Sequence, residues 1–224
     1  MIQKKSHEKK RILVVDDHPI VLQGLSMLIN RNNELLVCGH ATDTSEAMEA
    51  IRVLKPDLVI VDISLKDANG IELIKDIKSY DAGLSVLVLS MHDESLYAER
   101  ALRAGAKGYI MKQEGTERLI SAIRSVLAGE LYISDRLAGR LINKMVSGGV
   151  EVSSSPLESL SDRELEVFLL IGRGQRTRQI SEQLHLSSKT VETYRSHIKK
   201  KLNIGSSTEL LQHAIQWVNS SGES

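Results

Sequence analysis

Cysteine, proline and aromatic residues are scarce in this 224-residue chain. Its single cysteine, Cys38, excludes an internal disulfide and any cysteine-based zinc site, and it is compatible with a reducing compartment. Aromatic residues account for 3% of the chain and hydrophobic residues for 42%, so the cores must be largely aliphatic. No apolar run approaches the roughly 20 residues of a membrane helix, and the polar start lacks the apolar stretch of a signal peptide. We therefore expect a soluble, cytoplasmic protein with no membrane partner.

The chain also lacks an excess of charge of either sign, with 29 basic and 29 acidic residues. This balance hides a small asymmetry between the two ends. Residues 1–130 hold 17 basic and 19 acidic residues, and the remainder holds 12 and 10. The C-terminal part is therefore slightly basic, which favours an anionic partner without establishing one.

Short apolar segments alternate with amphipathic helical patterns in the first 130 residues. Such segments are typical of parallel strands covered on both faces. Five strand–helix units predict an α/β fold with a doubly wound five-stranded parallel sheet, whose ligand site lies at the carboxyl ends of the strands. The five predicted strands are Ile12–Val15, Leu35–Cys38, Leu58–Val61, Val86–Leu89 and Gly108–Met111.

Composition divides the chain into four parts. We expect a disordered basic arm at residues 1–10 and a sheet domain at residues 11–130. Residues 131–156 read as a linker that contains a helix near Ser134–Met145, followed by a stretch rich in Gly and Ser. Residues 157–219 are helical throughout and predict an all-α domain of four helices, opened by a capping box at Ser161 and Glu164.

Polar residues directly follow four of the five predicted strands. Three carboxylates at one edge of a sheet repel one another unless a cation joins them, and Mg²⁺ is a hard cation that prefers oxygen ligands. A carboxylate beside Mg²⁺ and an ammonium group can attack a phosphoryl donor, whose transferred oxygens those cations then neutralise. These residues are Asp16 and Asp17, Asp62, Ser90 and Lys112. His18 and His92 lie near the same edge, where we expect surface or capping roles.

This set, with Tyr109 three residues before the lysine, resembles the flavodoxin-like receiver domain of response regulators over about residues 10–130. The resemblance implies that Asp62 is phosphorylated by a sensor histidine kinase and that Mg²⁺ is the cofactor. It further implies roles for the surrounding residues. Asp17, Asp16, Asp62 and the backbone carbonyl of Ser64 hold the metal, Ser90 and Lys112 bind the phosphoryl group, and Tyr109 turns inward in the active state.

One departure from the family pattern lies close to the acceptor. Leu65 and Lys66 stand where the family usually has Met-Pro. Lys66 adds a charge beside the site and loosens a loop that proline would stiffen. A degenerate receiver that never takes phosphate therefore stays open as an alternative. Gly70, where the next helix is expected to begin, matches the family pattern.

The third helix of the C-terminal part has two distinct faces. Val191, Tyr194, Ile198 and Leu202 form a narrow apolar stripe at 100° per residue. The opposite face holds Lys189, Thr193, Ser196 and Lys200, with Glu192 and Lys199 beside it. Lys reaches phosphates or guanine edges, whereas Ser and Thr adapt to several bases. A short helix and a tight turn precede it, as in a helix-turn-helix, so this helix is expected to enter the major groove.

The C-terminal part resembles the LuxR-type helix-turn-helix domain over residues 157–219, on Leu160-Ser161-Asp162-Arg163-Glu164 and Ser187-Ser188-Lys189-Thr190-Val191-Glu192. A receiver followed by this domain is the arrangement of the NarL/FixJ response regulators. The resemblance implies double-stranded promoter DNA as a partner, a homodimer when phosphorylated, and RNA polymerase as a further partner. The residues that contact bases are then Glu192, Thr193 and Ser196. The residues that contact phosphates, or lie at the N-terminus of a DNA-binding helix, are Arg176, Arg178, Lys189, Thr190, Arg195, Lys199 and Lys200.

Three functions are compatible with the sequence. The leading hypothesis is a phosphorylation-controlled transcription factor that is not an enzyme. The second is a phosphorylation-independent DNA-binding regulator whose receiver serves only for dimerisation. The third is a hydrolase or phosphotransferase that acts on a small phosphate ester. This last function needs a second catalytic acid close to the nucleophile, and Ser64, two residues after Asp62, is not an acid.

Overall fold

The computed structural model describes residues 9–65, 68–92, 94–146 and 156–221. Two predictions from the sequence fall largely outside these ranges: Lys66 beside the acceptor, and the Gly/Ser-rich stretch of the linker. Most of the predicted basic arm also lies outside them. The chain divides into two units. One comprises residues 1–94 and 98–134, and the other comprises residues 95–97 and 135–224.

The first unit is built on a five-stranded parallel sheet. Its strands are β1 (Lys10–Val15), β2 (Leu35–Ala41), β3 (Leu58–Val61), β6 (Ser85–Ser90) and β7 (Gly108–Met111). They lie in the order β2-β1-β3-β6-β7, and every pairing between them is parallel. The residues of β3 and β6 are all buried because helices cover the sheet, which explains why these strands are nearly all apolar. The predicted doubly wound α/β fold is confirmed.

Helices follow the strands at regular intervals. They are α1 (Pro19–Asn30), α2 (Thr44–Leu54), α3 (Gly70–Tyr80), α4 (Glu94–Ala104) and α5 (Thr116–Leu127). One face of the sheet packs against α1 and α5 in a cluster that includes Ile12, Val14, Ile60, Leu22 and Ile123. These side chains are buried and aliphatic, as the scarcity of aromatic residues predicts.

The sheet begins one residue earlier than the predicted domain boundary. Lys10 opens β1, its backbone N–H donates to the Glu34 carbonyl, and its ammonium lies 2.8 Å from a carboxylate oxygen of Asp57. The other oxygen of Asp57 accepts a bond from the Arg11 N–H at 2.8 Å. Burial raises the pKa of Asp57, but these bonds and the two positive charges outweigh it and hold the pKa below its ordinary value. Asp57 therefore fixes the start of the first strand.

A small ladder lies between β3 and α3, and the sequence pattern did not predict it. Strand β4 (Ser64–Leu65) pairs antiparallel with β5 (Ala68–Asn69). Asn69 then caps α3, because its side-chain oxygen accepts a bond from the Ile71 N–H at 2.9 Å. The ladder and the cap fix the conformation of the backbone that follows Asp62.

The second unit is helical. It contains α6 (Asp135–Val146), a short 3₁₀ helix (Pro156–Ser159), α7 (Asp162–Gly172), α8 (Thr177–Gln183), α9 (Ser188–Lys201) and α10 (Ser207–Ser221). The four helices from α7 to α10 are those predicted from the sequence. Among the described residues, no helix is long and apolar enough to cross a membrane.

Helix α7 begins at the predicted capping box. The Ser161 hydroxyl accepts from the Glu164 N–H, and the Glu164 carboxylate accepts from the Ser161 N–H at 2.7 Å. The Lys201 ammonium also donates to this carboxylate at 2.6 Å, which joins the start of α7 to the end of α9. Burial raises the pKa of Glu164, but these bonds and the Lys201 charge hold it below its ordinary value.

Helix α10 packs closely on the end of α7. A Cβ at Gly172 would lie 2.5 Å from the Ala214 carbonyl oxygen, so only glycine permits this approach. Leu210, Ala214 and Val218 are buried on the same helix, whereas Leu211 and Ile215 are exposed. Trp217 is half-buried, so the helix contributes both to the core and to the surface.

Candidate functional site: a carboxylate cluster and a basic helix

The ends of four neighbouring strands bring the predicted cluster together. Asp16 and Asp17 follow β1, Asp62 follows β3, Ser90 ends β6, and Lys112 follows β7. Because β1, β3, β6 and β7 are adjacent and parallel, their carboxyl ends meet at one edge of the sheet. Asp16, Asp62 and Ser90 are all buried there. The alternation of strands and helices therefore assembles a site from residues almost 100 positions apart.

Lys112 lies between two of the carboxylates. Its ammonium is 2.6 Å from Asp62 Oδ2 and 2.6 Å from Asp16 Oδ2. Burial lowers the pKa of Lys112, but the charges and hydrogen bonds of Asp62 and Asp16 outweigh it and raise the pKa above its ordinary value. Burial raises the pKa of Asp62 above its ordinary value, although the charge and the hydrogen bond of Lys112 oppose this shift. Lys112 thus stays protonated and partly neutralises the buried acidic pair.

The same edge offers ligands for a cation. Ligand atoms of Asp16, Asp17, His18 and Asp62 all lie within 4.8 Å of one another. Asp17 Oδ1 is buried and has no hydrogen-bond partner among the described residues. His18 Nδ1 lies 2.7 Å from that oxygen, although the contact lacks hydrogen-bond geometry. A buried carboxylate oxygen that makes no hydrogen bond, beside two further carboxylates, fits a hard, oxygen-binding cation, so the cluster could hold a metal ion.

His18 and Ser64 border this cluster in different ways. His18 precedes α1 as its N-cap residue, but its side chain makes no capping bond. Its backbone N–H instead donates to Asp16 Oδ1 at 2.9 Å. Ser64 is half-buried, and its N–H lies 3.4 Å from Asp62 Oδ1. Metal binding through the Ser64 carbonyl stays a prediction.

His92 contacts three further residues of the site. The sequence did not reveal these contacts. Its N–H donates to Ser90 Oγ at 3.2 Å, and its carbonyl accepts from the Tyr109 hydroxyl at 2.8 Å. Its Nε2 lies 2.6 Å from Ser64 Oγ. The backbone of His92 makes two of these contacts. Any residue type could make them, so the residue type at position 92 did not predict them. Tyr109 is 2% exposed, so its ring already lies inward in this structure.

Gly70 packs directly against the backbone of the acceptor Asp62. A Cβ at this position would lie 2.1 Å from the Asp62 carbonyl oxygen and 2.8 Å from Ile63 Cα. Both neighbours are backbone atoms that cannot rotate away. The Gly70 N–H also donates to the Ile63 carbonyl at 2.8 Å. The first residue of α3 is therefore in direct backbone contact with the residue that carries the reactive carboxylate.

The second unit presents α8 and α9 as a helix-turn-helix. Leu184 is the C-cap residue of α8, and His185 follows with a left-handed φ of 51°. The Ser187 hydroxyl then accepts from the Thr190 N–H at 3.0 Å and caps α9. Val191 and Ile198 are fully buried. This is the apolar stripe predicted from the helical angles, with Tyr194 and Leu202 half-buried at its sides.

The opposite face of α9 is open to solvent. Exposed residues there are Lys189, Glu192, Thr193, Ser196 and Lys200, and Arg176 and Arg178 are exposed at the start of α8. Thr190 and Lys199 are half-buried. The side chain of Arg195 is only 16% exposed and lies 3.8 Å from Glu192, so it is less open than the sequence suggested. The Thr193 hydroxyl donates to the Lys189 carbonyl of its own helix at 3.0 Å.

Helix α8 begins with Arg176 as the N-cap residue and Thr177 as the first residue of the helix. The Gln179 side-chain oxygen accepts from the Arg176 N–H at 2.9 Å, which closes the first turn. The Thr177 hydroxyl is thereby left for another partner, Glu192 on α9, at 2.7 Å.

Comparisons with known proteins agree with this geometry. Residues 12–124 match the family described as the response regulator receiver domain, and residues 158–214 match the family of bacterial regulatory proteins, luxR family. The chain is 37% identical over 211 residues to the oxygen regulatory protein NreC of Staphylococcus carnosus, which covers 92% of this chain and 97% of that protein.

Solved structures resemble the chain across both units. The response regulator RcsB of Salmonella typhimurium is 25% identical with a TM-score of 0.67, over 93% of this chain and 98% of that chain. RcsB bound to promoter rprA in the presence of the phosphomimetic BeF₃⁻ is 27% identical with a TM-score of 0.62, over 92% and 98%. The chain belongs to the two-component response regulators that combine a receiver domain with a LuxR-type DNA-binding domain.

Proposed function

We propose that this response regulator is controlled by phosphorylation of Asp62. A sensor histidine kinase supplies the phosphoryl group, Mg²⁺ is the metal, and the phosphorylated chain binds promoter DNA as a homodimer. The observation that carries this proposal is the position of Lys112, 2.6 Å from both Asp62 and Asp16 at the carboxyl edge of the sheet. A buried cation beside a buried carboxylate is suited to receiving a group with several negative oxygens.

Asp62 Oδ1 is the oxygen best placed to attack. Oδ2 is held by Lys112, whereas the one hydrogen bond to Oδ1 from the described residues comes from the Ser64 N–H at 3.4 Å. Oδ1 forms a bond to phosphorus as the phosphorus–nitrogen bond of a phosphohistidine breaks, and the departing imidazole takes up a proton from solvent. Asp16, Asp17 and Asp62 would hold Mg²⁺, whose charge would neutralise the transferred oxygens. Lys112 then pairs with the new phosphoryl group.

The Ser90 hydroxyl is oriented to join this reaction. Because the His92 N–H already occupies a lone pair of Ser90 Oγ, the hydroxyl proton is available for a phosphoryl oxygen. A movement of Ser90 toward Asp62 would pull on His92, whose carbonyl accepts from Tyr109. The phosphoryl charge would thereby shift the population of two arrangements of Tyr109 and the adjoining surface.

The second unit supplies the output. Lys189, Lys200 and the basic start of α8 provide cations for phosphates, and Thr193 and Ser196 face the bases. One such domain makes few contacts, so useful specificity needs a pair of them on two half-sites. RcsB, a similar protein, has been solved on promoter DNA and as dimers on DNA. At a promoter, RNA polymerase is the further partner that we propose.

Intact mass after incubation with a small phosphodonor tests the first step. We expect a gain of one phosphoryl group that requires Mg²⁺ and is lost in Asp62→Ala. Asp76→Ala is the matched control, because Asp76 is an exposed carboxylate on α3 away from the cluster, and it should gain the group normally. No gain from either the phosphodonor or the kinase would instead support a phosphorylation-independent DNA-binding regulator.

DNA binding tests the second step. Phosphorylated wild type should bind promoter DNA more tightly than Asp62→Asn treated in the same way. Equal binding by both proteins would show that the receiver does not control the DNA-binding domain.

A further inference from the structure

A hydrogen bond joins the two helices of the helix-turn-helix at the surface. The Thr177 hydroxyl at the start of α8 donates to Glu192 Oε1 on α9 at 2.7 Å, across 15 positions of sequence. The Arg195 Nε lies 3.8 Å from the same oxygen, one turn further along α9. Glu192 Oε1 is therefore held from two sides.

The second oxygen of Glu192 is left open. Its side chain is 60% exposed, and no hydrogen bond or ion pair joins Oε2 to a described residue. An exposed glutamate on a helix normally samples several rotamers, and fixing one of them on binding costs conformational entropy. Because Thr177 and Arg195 fix the carboxylate beforehand, it is an acceptor already oriented on the face that carries Thr193 and Ser196.

We propose that Thr177 is a specificity-determining positioning residue, which holds Glu192 so that its open oxygen accepts a hydrogen bond from a cytosine amino group in the major groove. A carboxylate can only accept hydrogen bonds. In the major groove cytosine presents a donor alone, adenine presents a donor beside an acceptor, guanine presents two acceptors, and thymine presents an acceptor and a methyl group. The proposal rests on the DNA binding proposed above and assigns it a base preference.

Arg195 also helps to orient Glu192. Its guanidinium is largely covered and lies beside Glu192, where it balances the carboxylate charge near DNA phosphates. Thr177 is the better residue to test, since its hydroxyl can be removed without changing a charge. Valine has nearly the same shape as threonine and lacks the hydroxyl, whereas serine retains it.

Selection of binding sites from a random double-stranded DNA pool tests the proposal with the full chain. Wild type should select cytosine at one position of each half-site, by about tenfold over the other bases. Thr177→Val should flatten the preference at that position alone, and Thr177→Ser should retain it. Glu192→Gln should shift the preference to adenine, because a carboxamide pairs with the adenine N6 and N7 atoms. The matched control is Thr208→Val near the start of α10, exposed and distant in sequence, which should select the wild-type site.

The outcomes separate this proposal from the proposed function. If wild type selects a site and Thr177→Val selects it with the same preference, Thr177 does not position the reader. If Glu192→Gln leaves every base preference unchanged, Glu192 reads no base. Should Thr177→Val fail to fold, Thr177→Ala, which also lacks the hydroxyl, takes its place and should flatten the preference in the same way. If wild type selects no site with or without phosphorylation, the proposed DNA-binding function itself is wrong.

Discussion

Replacing Gly70 with alanine adds a single methyl group at a position where two backbone atoms leave no room. The new Cβ would lie 2.1 Å from the Asp62 carbonyl oxygen, well inside contact distance. The loop that carries Asp62 must therefore move, and overpacking of this kind costs about 1–3 kcal/mol. We expect Gly70→Ala to lower the free energy of unfolding of the receiver by that amount and to slow phosphorylation of Asp62.

Gly24 provides a matched control for the same substitution. It lies within α1, and a Cβ there would meet nothing within 4 Å. Alanine at this helical position should raise stability by about 0.5–1 kcal/mol, because glycine is the more flexible residue in the unfolded chain. The same chemical change should thus have opposite signs at two glycines of one domain.

Calorimetry of the intact chain measures the stability of each variant, and phosphoryl gain by mass reports the reaction. Hydrogen exchange resolved by peptide would place the loss of protection near residues 62–70 in Gly70→Ala. If Gly70→Ala proved as stable as wild type and took phosphate at the same rate, the contact between α3 and the acceptor backbone would not constrain the site, and our reasoning from it would fail.

Three further predictions concern the second unit. Ser161→Ala should destabilise it by about 1 kcal/mol in denaturant unfolding, since the capping bond to Glu164 is lost. The pKa of Glu164 lies below its ordinary value of 4.5, so its stabilising contribution is complete above that pH and is lost as the pH falls below it. Glu164→Gln should abolish this acid-side loss, and an unchanged pH profile would contradict the assignment. Lys200→Ala should weaken binding uniformly across DNA sequences and reduce the salt slope by about 1, a result that a base-reading role would not give.

Patterns of polarity were enough to predict the sheet and the four C-terminal helices. Apolar runs such as Leu58–Val61 are buried on both faces, so each run by itself indicates a covered strand. The carboxylate cluster was also predictable, because the ends of parallel strands must meet at one edge whatever the details of packing. The sequence was therefore enough to predict that Lys112 lies near Asp62.

Other features depend on contacts that a linear pattern does not contain. The contacts of His92 with Ser90 and Tyr109 use its backbone, which every residue type offers. The bond between Thr177 and Glu192 depends on how two helices cross, so the sequence pattern did not predict it. The low exposure of the Arg195 side chain could not be predicted either, because exposure is decided by neighbours distant in sequence.

Trp217 gives the second unit a property that the first does not share. It is the only tryptophan of the chain and lies half-buried on α10, which packs against α7. The other fluorescent side chains are five tyrosines, most of them in the first unit. Fluorescence excited selectively at the indole will therefore report on the DNA-binding half within the intact protein.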